Sequence, residues 1–193
     1  MKRMLFLIVA AILVFSLFGC GKQPAKEVGS STAEGTEEMS DLDAFYAHPV
    51  LGDYTDIRTL SEDYSQEQAQ ADGCFVIGAM VHNDGLYTDF MERCQNGEDA
   101  FIRVAQSTVE GDVILTDVLY DSASDQVLVV HDSTRDEFSA EADRIITLHT
   151  YEATTEFSWD SHNYWIAYNG SQDNIDLSGQ YSLDQVFVIA YIN

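Results

Sequence analysis

Apolar positions repeat with a period of two along much of the chain and with the helical period in one stretch, and this alternation divides it. Residues 101–109, 113–120 and 126–130 are apolar and β-branched runs separated by Glu110-Gly111-Asp112 and by the polar stretch 121–125. That pattern predicts three strands joined by two tight turns, an antiparallel meander. Upstream, residues 74–80 (CFVIGAM) form a nearly continuous apolar run of strand length, as expected of a strand covered on both faces. Leu86, Phe90 and Cys94, with Tyr87 and Met91 beside them, then fall on one helical stripe that closes at Gly97. A helix of that length returns the chain to the start of the preceding strand, so strands 74–80 and 101–109 are expected to run parallel. Two short helices are predicted before them. Residues 40–47 stop ahead of Pro49, and residues 64–73 carry Ser65 and Gln68 at capping-box spacing and end on Gly73. Further on, residues 144–151 alternate as a strand, and residues 186–192 (VFVIAYI) are apolar on both faces, the pattern of a central strand. The fold class expected is α+β, a mostly antiparallel sheet of five to seven strands with one packed helix and short N-terminal helices.

The first forty residues follow a different logic. Met1-Lys2-Arg3 is basic, and residues 4–18 are an apolar run shorter than a membrane span, the layout of a signal peptide over residues 1–19. Leu17-Phe18-Gly19-Cys20 resembles the lipobox of bacterial lipoproteins, with Phe18 bulkier than the usual residue there. The resemblance implies cleavage before Cys20, a diacylglyceryl thioether on its sulfur and often a further acyl chain such as palmitate. Two or three chains hold a protein stably on a bilayer, whereas one does so only marginally. Residues 20–40 are rich in Gly, Ser, Thr and Glu and bury too little apolar surface to order themselves, so they are expected to be a flexible linker. Residues 41–193 are one domain's worth of chain. The expected address is the cell membrane, lipid-anchored on its extracytoplasmic face.

Charge narrows the partners. The chain has 9 basic and 33 acidic residues, a net charge of −24, and no lysine after Lys26. Phosphate recognition needs clustered Lys or Arg, so nucleic acid is excluded as a partner and anionic headgroups are poor ones. A cation, a basic peptide or a cell-wall ligand remains compatible. With the third cysteine lipidated, Cys74 and Cys94 are expected to be brought together by the strand–helix return and to form a disulfide in this compartment. The meander also gathers polar residues. With turns centred on Gly111 and near Ala123, Val109 faces Val113 and Val113 faces Ser133. Glu110, Asp112, Asp132, Arg135 and Asp136 then share one sheet end, to which a parallel first strand delivers His82. Two uses are open for this rim: oxygen ligands for a hard cation such as Ca²⁺, or a salt-bridged edge stitched by Arg135.

The residues 64–69 (Tyr-Ser-x-Glu-x-Ala), the Phe90 helix ending in Asn96-Gly97, Thr108-x-Glu110-Gly111-Asp112-x-Ile114, Leu119-Tyr120-Asp121 and Asp132-x-x-x-Asp136-x-Phe138 together resemble an uncharacterised domain family of Gram-positive bacterial lipoproteins. The resemblance covers roughly residues 64–154 and implies the address and the domain bounds without an activity.

Residues 157–168 are crowded with aromatics beside Asp160 and Asn163. Such a segment either builds a stacking platform for sugars or peptides or is a strand with Trp165 or Tyr164 in the core. The chain has no G-x-S-x-G elbow, H-E-x-x-H, phosphate loop or C-x-x-C. The function expected is a binding module at the cell surface rather than an enzyme. Its alternative is a hydrolase of cell-wall or extracellular polymer using paired carboxylates.

Overall fold

The computed structural model describes residues 40–78, 81–178 and 182–192, with the backbone alone for Val81 and His82. Cys20, the signal segment and the linker up to residue 39 lie outside the described residues. The chain from Glu38 to Asn193 clusters as one unit.

Local signals set the N-terminal layer. Ser40 Oγ accepts from the Asp43 N–H and caps helix α1 (Asp41–Tyr46). Single 3-10 turns follow at Pro49–Leu51 and Ile57–Thr59, capped by the side chains of His48 and Asp56. Helix α2 (Gln66–Ala71) starts on the capping box that its sequence announces: Ser65 Oγ accepts from the Gln68 N–H while Gln68 Oε1 accepts from the Ser65 N–H.

Next come strands β1 (Phe75–Ile77) and β2 (Val81–His82), helix α3 (Asp84–Gln95), and strands β3 (Ala100–Ser107), β4 (Val113–Asp121), β5 (Gln126–Asp132) and β6 (Ile146–Tyr151). They form a six-stranded mixed sheet in the order β2-β1-β3-β4-β5-β6. The β1–β3 pair is parallel, with Phe75 opposite Val104, and the other pairs are antiparallel. The expected single strand 74–80 is broken: β1 ends at Ile77 and the chain doubles back as β2. The Gln66 amide of α2 reaches the Ile77 carbonyl at 3.5 Å, beside Gly78, where β1 ends.

Both meander registers differ from expectation. The first loop spans five residues, Thr108 to Asp112, closed by Thr108 N–H to Asp112 O and centred on Glu110, so Ser107 rather than Val109 faces Val113. Val109 is left fully exposed. In the second hairpin Leu115 faces Asp132, one residue away from the expected pairing. A slip of one residue turns a strand over. Asp132 therefore points to the same face as Leu115 and Val130, and away from solvent.

Residues from 153 on form a second sheet of three antiparallel strands in the order β7-β8-β9: β7 (Ala153–Trp159), β8 (His162–Tyr168) and β9 (Val186–Ile192). The architecture is thus six strands plus three in two sheets, not one sheet of five to seven, and β9 lies at an edge where a central position was expected. Asp160 and Ser161, with φ of 47° and 66°, form the two-residue turn between β7 and β8. Positive φ at both positions matches the twist that a tight hairpin requires.

Two hydrophobic clusters flank the large sheet. One lies between that sheet, α3 and the small sheet and includes Phe75, Phe90, Val118, Val129, Tyr151, Trp165 and Phe187. The other lies under the N-terminal layer and includes Phe45, Ile57, Tyr64, Cys74, Leu115 and Val130. Alternation along β1 and β3 to β5 feeds both, which is why these strands read as near-continuous apolar runs.

Candidate functional site

The acidic sheet end comes first because the sequence singled it out. Arg135 bonds Asp132 through Nη1 and also donates to the carbonyls of Ser61 (3.0 Å) and Leu60 (3.3 Å). Asp132 is fully buried, and its second oxygen accepts from Thr134 N–H at 2.9 Å and Thr134 Oγ1 at 2.6 Å. Asp112 Oδ2 accepts from Glu137 N–H at 2.9 Å. Asp136 closes its own turn by accepting from Phe138 N–H, Ser139 N–H and Ser139 Oγ, and the Ser139 hydroxyl first of all holds its carboxyl below the usual range. Glu110 stands exposed on the five-residue loop. Asp132 and Arg135 pair here and tie the N-terminal layer to the sheet, while Asp112 and Asp136 each accept bonds from residues 137–139. The backbone of His82 pairs with Val76 on the return strand, and the following Asn83 bonds the Cys74 carbonyl at 2.9 Å, so this segment runs back toward the start of β1. The His82 side chain lies outside the described residues.

A second buried pair went unforeseen. Arg103 and Asp117 face each other across β3 and β4, with Arg103 Nε to Asp117 Oδ1 at 2.6 Å and Nη2 to Oδ2 at 2.7 Å. Nη2 also reaches the Thr55 carbonyl at 2.7 Å, and the Tyr46 hydroxyl donates to Asp117 Oδ2 at 2.9 Å. Burial pushes the Asp117 carboxyl up, opposed by the Arg103 and Tyr46 bonds. Both buried Asp–Arg pairs clip the N-terminal layer onto the sheet.

Cys74 and Cys94 are free thiols, which corrects the expected disulfide. Cys74 shares the face of Val76 in the cluster under the N-terminal layer, whereas α3 packs its Cys94 against the cluster on the other face. The strand–helix return does bring the chain back, but the sheet separates the two sulfurs. Burial pushes the thiols up to about 11 and about 12, so neither is a ready nucleophile.

His48, Asp99 and Asp121 form a group that no motif announced. His48 Nε2 lies 4.0 Å from one oxygen of each carboxylate. His48 Nδ1 accepts from the Val50 N–H at 3.3 Å, so in the neutral ring the proton sits on Nε2. Nε2 is then a donor toward the carboxylates, not a lone pair offered to a metal. The carboxylates are themselves engaged, Asp99 by Ser122 and Asp121 by Ala123 and Ser124. A cleft of about 750 Å³ opens beside His48, walled by Leu42, Phe45, Leu119, Leu128 and Leu148.

The aromatic stretch proves to be a hairpin with two faces. Trp165 points inward and is fully buried, edge-on to Tyr87 and Phe90 of α3, with its indole N–H on Thr154 Oγ1. On the opposite face the registers Phe157↔Tyr164, Trp159↔His162 and Tyr164↔Tyr191 align five rings. His162 is exposed and the other four are half-buried. Tyr164 and Tyr191 pack edge to face at 5.3 Å, and His162 lies 5.3 Å from Tyr191. Among the described residues, none of Trp159 Nε1, Tyr164 Oη and Tyr191 Oη has a hydrogen-bond partner. Rings with bare polar tips on an outward sheet face offer stacking area together with donors and acceptors. The strand reading holds, with Trp165 in the core, and the outward face of the same strands carries the five rings.

No curated protein and no solved structure matches the chain. Residues 71–161, from the end of α2 to the turn between β7 and β8, match a family described as a domain of unknown function, DUF4362.

Proposed function

We propose that this chain is an extracytoplasmic lipoprotein, anchored through Cys20, whose folded part is a binding module with the row Phe157, Trp159, His162, Tyr164 and Tyr191 as its contact surface. The row carries the reading. Large rings aligned across three strands of an outward sheet face, four of them only half-buried, form the kind of exposed patch that marks an interaction surface. The charged groups that the competing hydrolase reading needs are spent elsewhere: Asp132 and Asp136 accept bonds from their own turns, and Asp112 accepts from the Glu137 N–H. The anchor rests on the basic start, the apolar run and Leu17-Phe18-Gly19-Cys20. No described helix is long and apolar enough to cross a membrane.

Two measurements test this. Cells expressing the chain are fed a labelled palmitate analogue and treated with external protease; the wild type takes up label and is cleaved outside, and Cys20→Ala takes up none. Isolated cell envelopes are then titrated with the purified unit from Glu38 onward, which carries every described strand and helix and both clusters. Saturable retention is expected. Label uptake by Cys20→Ala, or the absence of saturation, removes the corresponding half of the proposal.

A further inference from the structure

Resting on that reading, we infer that the free edge of β9 takes up an extended basic peptide segment as a fourth strand of the small sheet, with its cationic side chains laid against the aromatic row. Three observations converge on it. First, β9 has the sequence of a central strand, VFVIAYI, with both faces apolar, yet it is placed at an edge. Its residues pair with β8 alone, and from Phe187 to Ile192 no described group bonds the side facing away from β8. An unpaired row of this kind is a template for an added strand. Second, Phe157, Tyr164 and Tyr191 stand in one line across the three strands. The next position on that line belongs to a residue of the added strand, whose side chain would lie beside Tyr191.

Third, charge selects the occupant. After Arg144 the chain contains no Lys or Arg but six carboxylates: Glu152, Glu156, Asp160, Asp173, Asp176 and Asp184. The five arginines of the folded part are each engaged internally: Arg58 with Asp43 and Asp56, Arg93 with the Asp99 carbonyl, Arg103 with Asp117, Arg135 with Asp132, and Arg144 with the Ser139 carbonyl. No cation of the described residues is left to face the rings. Lys or Arg supplied by a ligand gains both the acidic field and contact with ring faces. A second copy pairing β9 to β9 would instead bring together two chains of net charge −24.

The probe is a labelled seven-residue peptide alternating Lys and Val, matched to the length of β9 and followed by fluorescence anisotropy with the unit from Glu38 onward. Saturable binding is expected, weakened by salt, and about a hundredfold weaker for the Glu–Val peptide. N-methylation of every amide removes the donors an added strand needs in either direction and should abolish binding. Undiminished binding by the fully methylated peptide overturns the edge while leaving the aromatic surface standing. Equal binding of the Glu and Lys peptides overturns the charge argument. A dimer in sedimentation that the Lys–Val peptide does not dissociate makes a second copy the occupant. Envelope retention without binding of any peptide rejects this inference alone, whereas loss of both rejects the binding-module reading as well.

Discussion

Replacing Arg103 by Met isolates what the buried pair does. The methionine fills most of the volume of the arginine stem but leaves Asp117, which is wholly inaccessible to solvent, with the Tyr46 hydroxyl as its remaining partner. Removing one member of a buried pair costs about 3–5 kcal/mol, because the remaining charge is neither hydrated nor compensated. In a domain of this size 1 kcal/mol moves the midpoint by about 2–4 °C, so a fall of roughly 6–20 °C is expected. The Asp117 carboxyl, already pushed up by burial, rises further once the guanidinium is gone. Its folded value then exceeds the unfolded one, near 3.9, so the folded variant binds the proton more readily. The deficit relative to wild type should shrink as the pH is lowered toward about 5. In Arg103→Met/Asp117→Leu no charge remains buried, and the double variant should be less destabilised than the single one. Urea and thermal unfolding of the unit from Glu38 onward, at two pH values, supply all four comparisons. A single variant within about 1 kcal/mol of wild type, or a deficit unchanged by pH, would refute the reasoning.

Other consequences can be checked in the same unit. With Cys74 and Cys94 both free, the unfolded unit should titrate two thiols, and reductant should leave its midpoint unchanged; a midpoint that falls with reductant would reveal the crosslink. His131 is held neutral by burial beside Phe187, with its Nδ1 at 3.0 Å from Thr116 Oγ1, against the opposing pull of Asp132. Its folded pKa is lowered, so its share of stability is complete above the unfolded value of about 6.5 and is lost as the pH falls below it. His131→Asn should flatten that part of the stability profile, and an unchanged slope would show that the ring does not titrate on unfolding. Trp165→Ala, which empties the largest fully buried side-chain site, should cost about 3–5 kcal/mol by urea unfolding, and a cost under 1 would mean that the small sheet does not depend on α3.

What could be read from the sequence was what local chemistry decides. The capping box at Ser65 and Gln68, the α3 stripe, the meander and the parallel β1–β3 pair all follow from spacing. The misses trace to turns. Centring the first loop on Glu110 rather than Gly111 moves the pairing by two residues and sets Arg103 opposite Asp117, so one turn concealed the most buried ion pair. The second hairpin slipped by one residue and carried Asp132 inside. Asp160-Ser161 lacks the Asn-Gly signature of a two-residue turn, and without it β7 and β8 merged into one aromatic stretch. The Cys74–Cys94 expectation followed the path of the chain but not the side-chain alternation: Cys74 and Phe75 point to opposite faces, and α3 covers the face of Phe75. The edge position of β9 and the meeting of His48 with Asp99 and Asp121 depend on contacts distant in sequence, which no local pattern carries.

The contact surface is tested most directly by the affinity of Trp159→Ala/Tyr191→Ala for isolated envelopes. The two rings lie on the outward face, apart from both clusters, so the variant should unfold in urea like the wild type. Loss of about 2 kcal/mol at the centre of an interface is a dissociation constant about thirtyfold higher. That increase, with stability unchanged, is the predicted result. Undiminished retention by a folded double variant would contradict it and place the binding surface elsewhere on the molecule.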